Sequence, residues 1–487
     1  MRLILDGKIN KTYVQSLCMM FFHGEKFPEN ESNPNGILKL NTKDTNDGIS
    51  CDCELIYNGK IAKSNTYVPF KENVTYERIS KSVIGKAVYS VGKQLTGRDI
   101  EWGILTGIRP SKVAWEIYQC YGYDTALDIL CNEYLLSKNK ARLALDVALN
   151  ENSILKKYTQ NACSIYISIP FCPTRCAYCS FVSYSTKKLF DLIPEYINHL
   201  LYELEEKINV INRLDLKVVS LYIGGGTPTT LSAEQLDILL SNINNKIELW
   251  KLDEFTVECG RPDTITNDKI EVLKKYGVRR ISVNPQTLND QVLINIGRKH
   301  TTDDFLNAYD LVDKYNFEII NTDLIAGLDG DDEQSFKASI DKIIELNPEN
   351  ITVHSFSVKK SAQILRDDSS IYEKSGEVAK KSVEYSYDAL TKNGYIPYYM
   401  YRQKNTIADL ENVGYSKKDK LGIYNVLMMS DAHTVFGIGA GATTKLAKNN
   451  NGKTDILRIF SKKYPYEYLQ NNKSDIGEII NFFHTEK

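Results

Sequence analysis

The stretch Tyr166-Ile-Ser-Ile-Pro-Phe-Cys-Pro-Thr-Arg-Cys-Ala-Tyr-Cys-Ser-Phe181 constrains this chain more than any other. It enters as an apolar run, Ile165 to Ile169, of the kind that makes a buried strand. Pro170 stops that strand, because proline has no N–H for the ladder. Cys172, Cys176 and Cys179 follow on one loop with C-x3-C-x2-C spacing. Three thiols cannot form a self-contained disulfide set. A structural zinc ion takes four ligands, and neither His nor Cys supplies a fourth within the loop. A [4Fe–4S] cluster also normally takes four cysteines. Three leave one iron with an open position that a substrate or cofactor can occupy. The competing reading is a chance group of buried thiols. Cysteine spacing is a sharper signal than composition, and it argues against that reading.

From this loop onward, strand-like and helix-like segments alternate. Strands are expected at 164–169, 218–223, 254–258, 280–284, 317–324 and 350–357, with helices at 187–211, 232–245, 266–276, 302–315 and 332–346. Alternation of this kind implies a parallel sheet with covering helices. Six units are too few for a closed eight-fold barrel, so the expected fold is α/β, a partial (β/α)6 barrel. Chemistry in such barrels sits at the carboxyl ends of strands, and the motifs fall there. Gly224-Gly-Gly-Thr-Pro228 follows the second strand, and glycines let the backbone approach a ligand closely. Glu258 ends the third strand, where a carboxylate can accept hydrogen bonds from hydroxyls or an ammonium. Gln286 follows the fourth. Arg298, in Gly297-Arg-Lys-His300, can clasp a carboxylate in a bidentate fork. Asp323 is a charge inside an apolar strand, so it must meet a partner or ligand. Alternation aims Cys259 away from Glu258, which makes it a packing residue. His300 and His354 read as structural hydrogen bonders.

These motifs are joined by Glu258-Cys-Gly-Arg-Pro262, Arg280-Ile-Ser-Val-Asn-Pro-Gln-Thr287 and Asp323-Leu-Ile-Ala-Gly-Leu328. In this order and spacing, from about residue 160 to 445, the chain resembles the oxygen-independent coproporphyrinogen III oxidase family of radical S-adenosylmethionine (AdoMet) proteins. It resembles the HemZ-type coproporphyrinogen dehydrogenases most. The resemblance implies a radical AdoMet barrel with a [4Fe–4S] cluster on Cys172, Cys176 and Cys179 and S-adenosyl-L-methionine as second cofactor. It assigns Tyr166, Tyr178, Gly225, Gly226, Thr227, Glu258, Gln286, Arg298, Asp323 and Ser357 to AdoMet. Gln286, Arg298 and Asp323 match positions that serve a second AdoMet in the true oxidase, so one or two molecules are implied. Reduced flavodoxin or ferredoxin would be the electron donor. The implied reaction belongs to heme biosynthesis: two propionates of a tetrapyrrole, coproporphyrinogen III, become vinyls with loss of CO2. The cofactors carry that chemistry and the protein orients and shields it. Arg261, on the loop leaving the third strand, is the expected propionate ligand, with Arg279, Arg298, Lys299, Lys359, Lys360, Arg402 and Lys404 as further cations.

Two departures limit the analogy. The established oxidases carry another Cys two residues after the third ligand, where this chain has Phe181. The family's heme-chaperone branch also has Phe there, but it shows a His-Asn-x-x-Tyr-Trp motif that stands here as Glu411-Asn-Val-Gly-Tyr415 with no Trp following. Radical methyl transfer to a tetrapyrrole and heme binding without turnover are therefore the alternatives to decarboxylation.

At 487 residues the chain has room for about three domains. They are expected as an α+β amino-terminal domain (1–155), the barrel (156–360) and an α+β carboxyl-terminal extension (361–487). The net charge of −2 argues against a nucleic-acid binder. No apolar stretch approaches ~18 residues, so no membrane insertion is expected. Ten cysteines without a secretory signal imply the reducing cytoplasm. Cys51 and Cys53 read as buried thiols of a strand at 49–57, and a helix is expected over Tyr76–Leu95. Toward the other end, a loop is expected at 361–370, a helix at 371–390 and a strand at 395–401, with Tyr399, Tyr401 and Arg402 able to line a tetrapyrrole site. Residues 405–424 read as irregular and Val435–Gly441 as a glycine-rich turn.

Overall fold

The computed structural model describes residues 1–28, 34–72, 74–179, 183–357, 371–403, 406, 409–450, 453–471 and 474–484. Phe181, Lys359, Lys360, Lys404 and the expected loop at 361–370 lie outside the described residues. The chain divides into two compact units, Met1–Leu149 and Asn150–Lys487.

The first unit holds a four-stranded sheet of β1 (Arg2–Asp6), β2 (Gly36–Asp44), β3 (Gly48–Tyr57) and β4 (Lys60–Pro69), in that spatial order. Alternation along β3 buries Cys51, Cys53 and Leu55 in a core shared with the helices Lys11–Phe21 and Tyr76–Thr96. The second helix follows its pattern closely. Ile79, Val83, Ala87, Val88 and Val91 are buried, the Thr75 side chain caps the Arg78 N–H, and Gly97 ends it at φ 70°. The Cys51 thiol is pushed up to about 12 by burial, as expected of a packing residue.

The second unit is built on one eleven-stranded sheet. Its centre is β5 (Ala162–Ile169), β6 (Lys217–Gly225), β7 (Glu254–Glu258), β8 (Arg280–Ser282), β9 (Ile319–Ala326) and β10 (Asn350–Ser355), each parallel to the one before. The helices Ile193–Arg213, Ala233–Asn244, Asn267–Lys275, Thr302–Lys314 and Glu333–Leu346 join them. Consecutive order has a physical consequence. Right-handed crossovers in an unbroken series put every helix on one face, so the sheet curls around its other face. The result is the partial (β/α)6 barrel. Capping boxes at Ser232 with Gln235 and at Thr301 with Asp304 set where two of the helices begin.

The carboxyl-terminal residues extend both edges of this same sheet. β11 (Ile396–Arg402) and β12 (Glu411–Ser416) add antiparallel strands beside β10, while β13 (Thr434–Ile438) lies parallel against β5 and leads to β14 (Thr443–Asn450) and β15 (Lys453–Phe460). Two expectations are corrected here. The stretch read as irregular contains β12 and the start of the helix Ile423–Met429, and the glycine-rich turn begins as strand β13. Every residue of β12 is buried although the segment is polar, because its groups find partners on neighbouring strands: Asn412 Oδ1 accepts from the Ser355 N–H at 3.1 Å. Gly414 leaves room for the Tyr399 ring, which a Cβ would meet at 1.9 Å. Among the described residues no helix is long and apolar enough to cross a membrane.

Candidate active site

Alternation along β5 sends Tyr166 to the face opposite Ile165 and Ile167, where its ring stacks with Tyr222 and Tyr424 at centroid distances of 6.0 and 6.2 Å. Past Pro170 the cysteine loop is pinned by backbone hydrogen bonds. The Cys172 N–H donates to the Tyr184 carbonyl at 3.0 Å, the Tyr184 N–H to the Pro170 carbonyl at 2.9 Å, and the Ala177 N–H to the Ile296 carbonyl at 3.0 Å. The turn after β6 lies directly against the loop. Gly226 and Thr227 donate their N–H groups to the Ile169 and Phe171 carbonyls, each at 2.8 Å. A Cβ on Gly226 would sit 2.6 Å from the Phe171 oxygen and 3.0 Å from Cys172 Sγ, and one on Gly224 2.9 Å from the Glu258 carboxyl carbon. Gly225 has φ +112°, a conformation that side chains resist.

Each thiol has polar company. Cys172 Sγ lies 3.3 Å from the Thr227 hydroxyl and Cys179 Sγ 4.0 Å from that of Ser183. Burial pushes the Cys172 thiol up to about 11, and Cys179 and Cys176 add to the rise. Among the described residues no three His, Cys, Asp or Glu side chains are close enough together to hold a metal ion. Cys176 receives a hydrogen bond from Arg261 Nη1 at 3.7 Å. Arg261 is 3% exposed and fully engaged. Its Nε and Nη2 grip the Asp263 carboxylate at 2.9 and 3.0 Å, and Nη1 and Nη2 reach the Thr174 carbonyl and hydroxyl at 3.3 and 3.0 Å. The expectation that Arg261 greets a propionate meets a guanidinium already committed to the cysteine loop.

Two carboxylates face the same interior and behave oppositely. Tyr222 donates to Glu258 at 2.5 Å, yet burial and the nearby Asp323 charge raise the Glu258 carboxyl to about 7. Burial would raise Asp323 too, but His354, Asn321 and Thr352 outweigh it and hold it below its ordinary value. Asn284 and Asn321 donate to its two oxygens at 2.7 and 2.8 Å, and His354 Nε2 stands 3.8 Å away. His354 Nδ1 lies 3.3 Å from Asn412 Oδ1.

Gln286 carries positive φ, +71°, while its N–H donates to the Asp323 carbonyl and its own carbonyl accepts from the Ile325 N–H. A bulky residue held there is strained, and such strain gathers at functional sites. Arg298 is buried, with Nη1 and Nη2 on the Asn284 and Gly260 carbonyls at 2.6 and 3.1 Å and with Tyr178 and Cys176 alongside. Among the described residues, its Nε and the Asn284 Oδ1 are buried without a hydrogen-bond partner. Burial and the Arg298 charge press His300 down to about 4. Ser357 bridges Thr406 at the sheet edge.

The other expected cations scatter. Arg279 and Arg280 lie at the amino end of β8, where Arg279 donates to the Trp250 carbonyl and Arg280 pairs with Glu254 at 3.5 Å. Arg402 is buried and donates to the Asp409 carbonyl at 3.2 Å, and Lys299 is exposed. Sequence reasoning missed Tyr222, Tyr424, Thr174, Asp263 and Asn284. Asp263 was detectable, two residues from Arg261. Tyr424 was not, because it arrives from a segment without periodicity.

A family model described as the Radical SAM superfamily matches residues 166–343. The oxygen-independent coproporphyrinogen-III oxidase-like protein HemZ of Bacillus subtilis is 36% identical over 406 residues, covering 82% of this chain and 81% of that protein. The heme chaperone HemW of the same organism is 38% identical over 197 residues, covering 40% of this chain and 51% of that one. Among solved structures, the coproporphyrinogen III oxidase HemN from Escherichia coli, a radical SAM enzyme, aligns with a TM-score of 0.49 at 19% identity, covering 68% and 72% of the two chains. The chain belongs to the oxygen-independent coproporphyrinogen-III oxidase-like family of radical SAM proteins.

Proposed function

We propose that this chain is a radical AdoMet enzyme acting on a tetrapyrrole of the coproporphyrinogen class, with Cys172, Cys176 and Cys179 holding a [4Fe–4S] cluster. The observation that carries the reading is the contact between the cysteine loop and the glycine turn of β6. A backbone stripped of Cβ atoms packs directly against the first thiol, an approach that any side chain at Gly226 would block. When bound, cluster and AdoMet together supply one-electron cleavage to methionine and a 5′-deoxyadenosyl radical.

The chain's own residues suit that pair. The Thr227 hydroxyl stands within hydrogen-bond reach of Cys172 Sγ and Arg261 donates to Cys176 Sγ, polar company that suits sulfurs bound to a cluster. The Arg298 Nε, buried and without a hydrogen-bond partner among the described residues, suits a carboxylate. Glu258, whose carboxyl is raised to about 7, suits an ammonium, whose positive charge would favour the ionised carboxylate. Asp323, ionised and held by two asparagines, suits ribose hydroxyls or a second cofactor molecule. The stacked Tyr166, Tyr222 and Tyr424 offer flat apolar faces.

Oxidative decarboxylation of coproporphyrinogen III, suggested by the name of the HemZ relative, is the first substrate reading. Heme transfer is the second, and the similarity to HemW favours testing it. Anaerobic incubation with coproporphyrinogen III, AdoMet and reductant should yield deoxyadenosine and a divinyl product. Deoxyadenosine without that product redirects the search to another radical reaction. Heme binding with no deoxyadenosine supports the chaperone. Replacing Cys172, Cys176 or Cys179 by Ala should abolish the roughly four irons per chain expected of a reconstituted cluster. Arg298→Ala and Asp323→Ala should keep the iron and lose AdoMet turnover, which separates the two ligand sets.

A further inference from the structure

We propose that the exposed basic and aromatic patch at the carboxyl end of β15 is the docking surface for an acidic one-electron carrier protein. The proposal rests on the cluster reading above. Topology puts the patch there. β13 runs parallel to β5, and β14 and β15 each reverse direction, so β15 ends at the same rim of the sheet where the cysteine loop leaves β5. Phe460, the last residue of β15, is 72% exposed, and Tyr464 and Tyr466 are 55% and 38% exposed. Lys462 and Lys463 lie between them, exposed, and Lys187 and Lys188 are exposed just after the loop.

These residues form one surface with the cluster loop. The Tyr184 hydroxyl donates to the Lys463 carbonyl at 3.4 Å and its ring lies 5.3 Å from that of Tyr464. Lys188 Nζ sits 5.9 Å over the Tyr466 ring. The backbone of Tyr184 in turn brackets Cys172 through its carbonyl. The patch is thus one residue away from a cluster ligand. Glu467 is the acidic group that bears on Tyr184, and Arg175, exposed on the loop itself, opposes it.

A carrier has to deliver its electron where the cluster comes nearest the surface, since tunnelling falls steeply with distance. The whole chain carries a net charge of −2, so four lysines and an arginine gathered here are a local feature. They would steer an acidic partner, while exposed aromatic rings supply the contact core of a small, transient interface. Each encounter would move one electron: a carrier's flavin hydroquinone would be oxidised to the semiquinone as it supplied that electron to a cluster held by Cys172, Cys176 and Cys179.

The test compares two reductants on the reconstituted full chain. Dithionite needs no docking surface. A purified, strongly acidic flavodoxin, kept reduced by NADPH and its reductase, does. The variant carrying Lys187→Glu, Lys188→Glu, Lys462→Glu and Lys463→Glu should cleave AdoMet normally with dithionite and lose about tenfold or more with flavodoxin. Calorimetry at low salt should show flavodoxin binding to the parent that weakens with salt and in the variant. Should the fourfold variant fold poorly, Lys188→Gln with Lys463→Gln, and separately Phe460→Ser, carry the same expectation. Unchanged flavodoxin affinity and rate in the variants overturn the proposal. So does a parent that binds neither flavodoxin nor ferredoxin, or binds anionic vesicles instead. Failure of the parent with dithionite strikes the cluster reading alone, and calorimetry still decides the docking surface.

Discussion

Arg261 illustrates how fully one buried side chain can be engaged by a loop. Its five N–H donors reach Asp263, Thr174 and Cys176. Removing a cationic donor from a cluster thiolate disfavours the more negative, reduced state. Arg261→Gln should therefore shift the cluster's reduction potential to more negative values in an EPR-monitored titration. Coproporphyrin affinity should hardly change; a large loss would return Arg261 to the substrate. Glu258 makes a second expectation, about pH. Its carboxyl is lifted from 4.5 to about 7 by burial. Between those values the folded chain keeps a proton that the unfolded chain releases, so this group's contribution to stability is lost as pH rises through about 7. Glu258→Gln without cofactors should be more stable than the parent by about 1–3 kcal/mol at about pH 8 and similar at about pH 4, as read by thermal unfolding.

At the scale of elements, the floor of the barrel is polar and tied together by hydrogen bonds. Arg280 on β8 pairs with Glu254 on β7, donates to Asn350 Oδ1 on β10 at 2.7 Å, and reaches the Lys420 carbonyl at 3.0 Å. Glu254 also accepts the N–H groups of Ile423 and Tyr424 at 2.7 and 3.3 Å, fixing the helix that carries Tyr424 to the interior. A buried pair is costly to break from one side, because the other charge is left without a partner. Arg280→Met should cost about 3–5 kcal/mol in urea unfolding, and adding Glu254→Leu should recover most of it. Equal costs for the single and double variants would mean that the backbone contacts, not the ion pair, matter here.

At the scale of the molecule, Met1–Leu149 has its own sheet, helices and hydrophobic core. Expressed alone, that segment should unfold cooperatively with a single calorimetric transition. The carboxyl-terminal residues cannot be detached in the same way. β13 is hydrogen-bonded along β5, from Thr434 opposite Cys163 to Ile438 opposite Ile167. The strand that presents the cysteine loop is therefore an interior strand only because a segment far along the chain covers it.

Much of the catalytic half was legible in order. The strands from β5 to β10 and the five helices between them declare themselves by local periodicity, and the Cys172, Cys176 and Cys179 spacing needs no tertiary information. Signals of that kind are carried within about ten residues, so the barrel and its cysteine loop were determined by the sequence alone. What only the tertiary structure decided are pairings across long separations. β12 and β13 are hidden by glycines and polar residues whose partners lie on β10 and β5. The partnership of Asp323 with Asn284 and His354, and the opposite behaviour of the two interior carboxyls, follow from which side chains converge at one rim. Arg261 meets the cysteine loop for the same reason: a guanidinium goes to the acceptors within its reach, and only the folded chain brings Thr174 and Cys176 there.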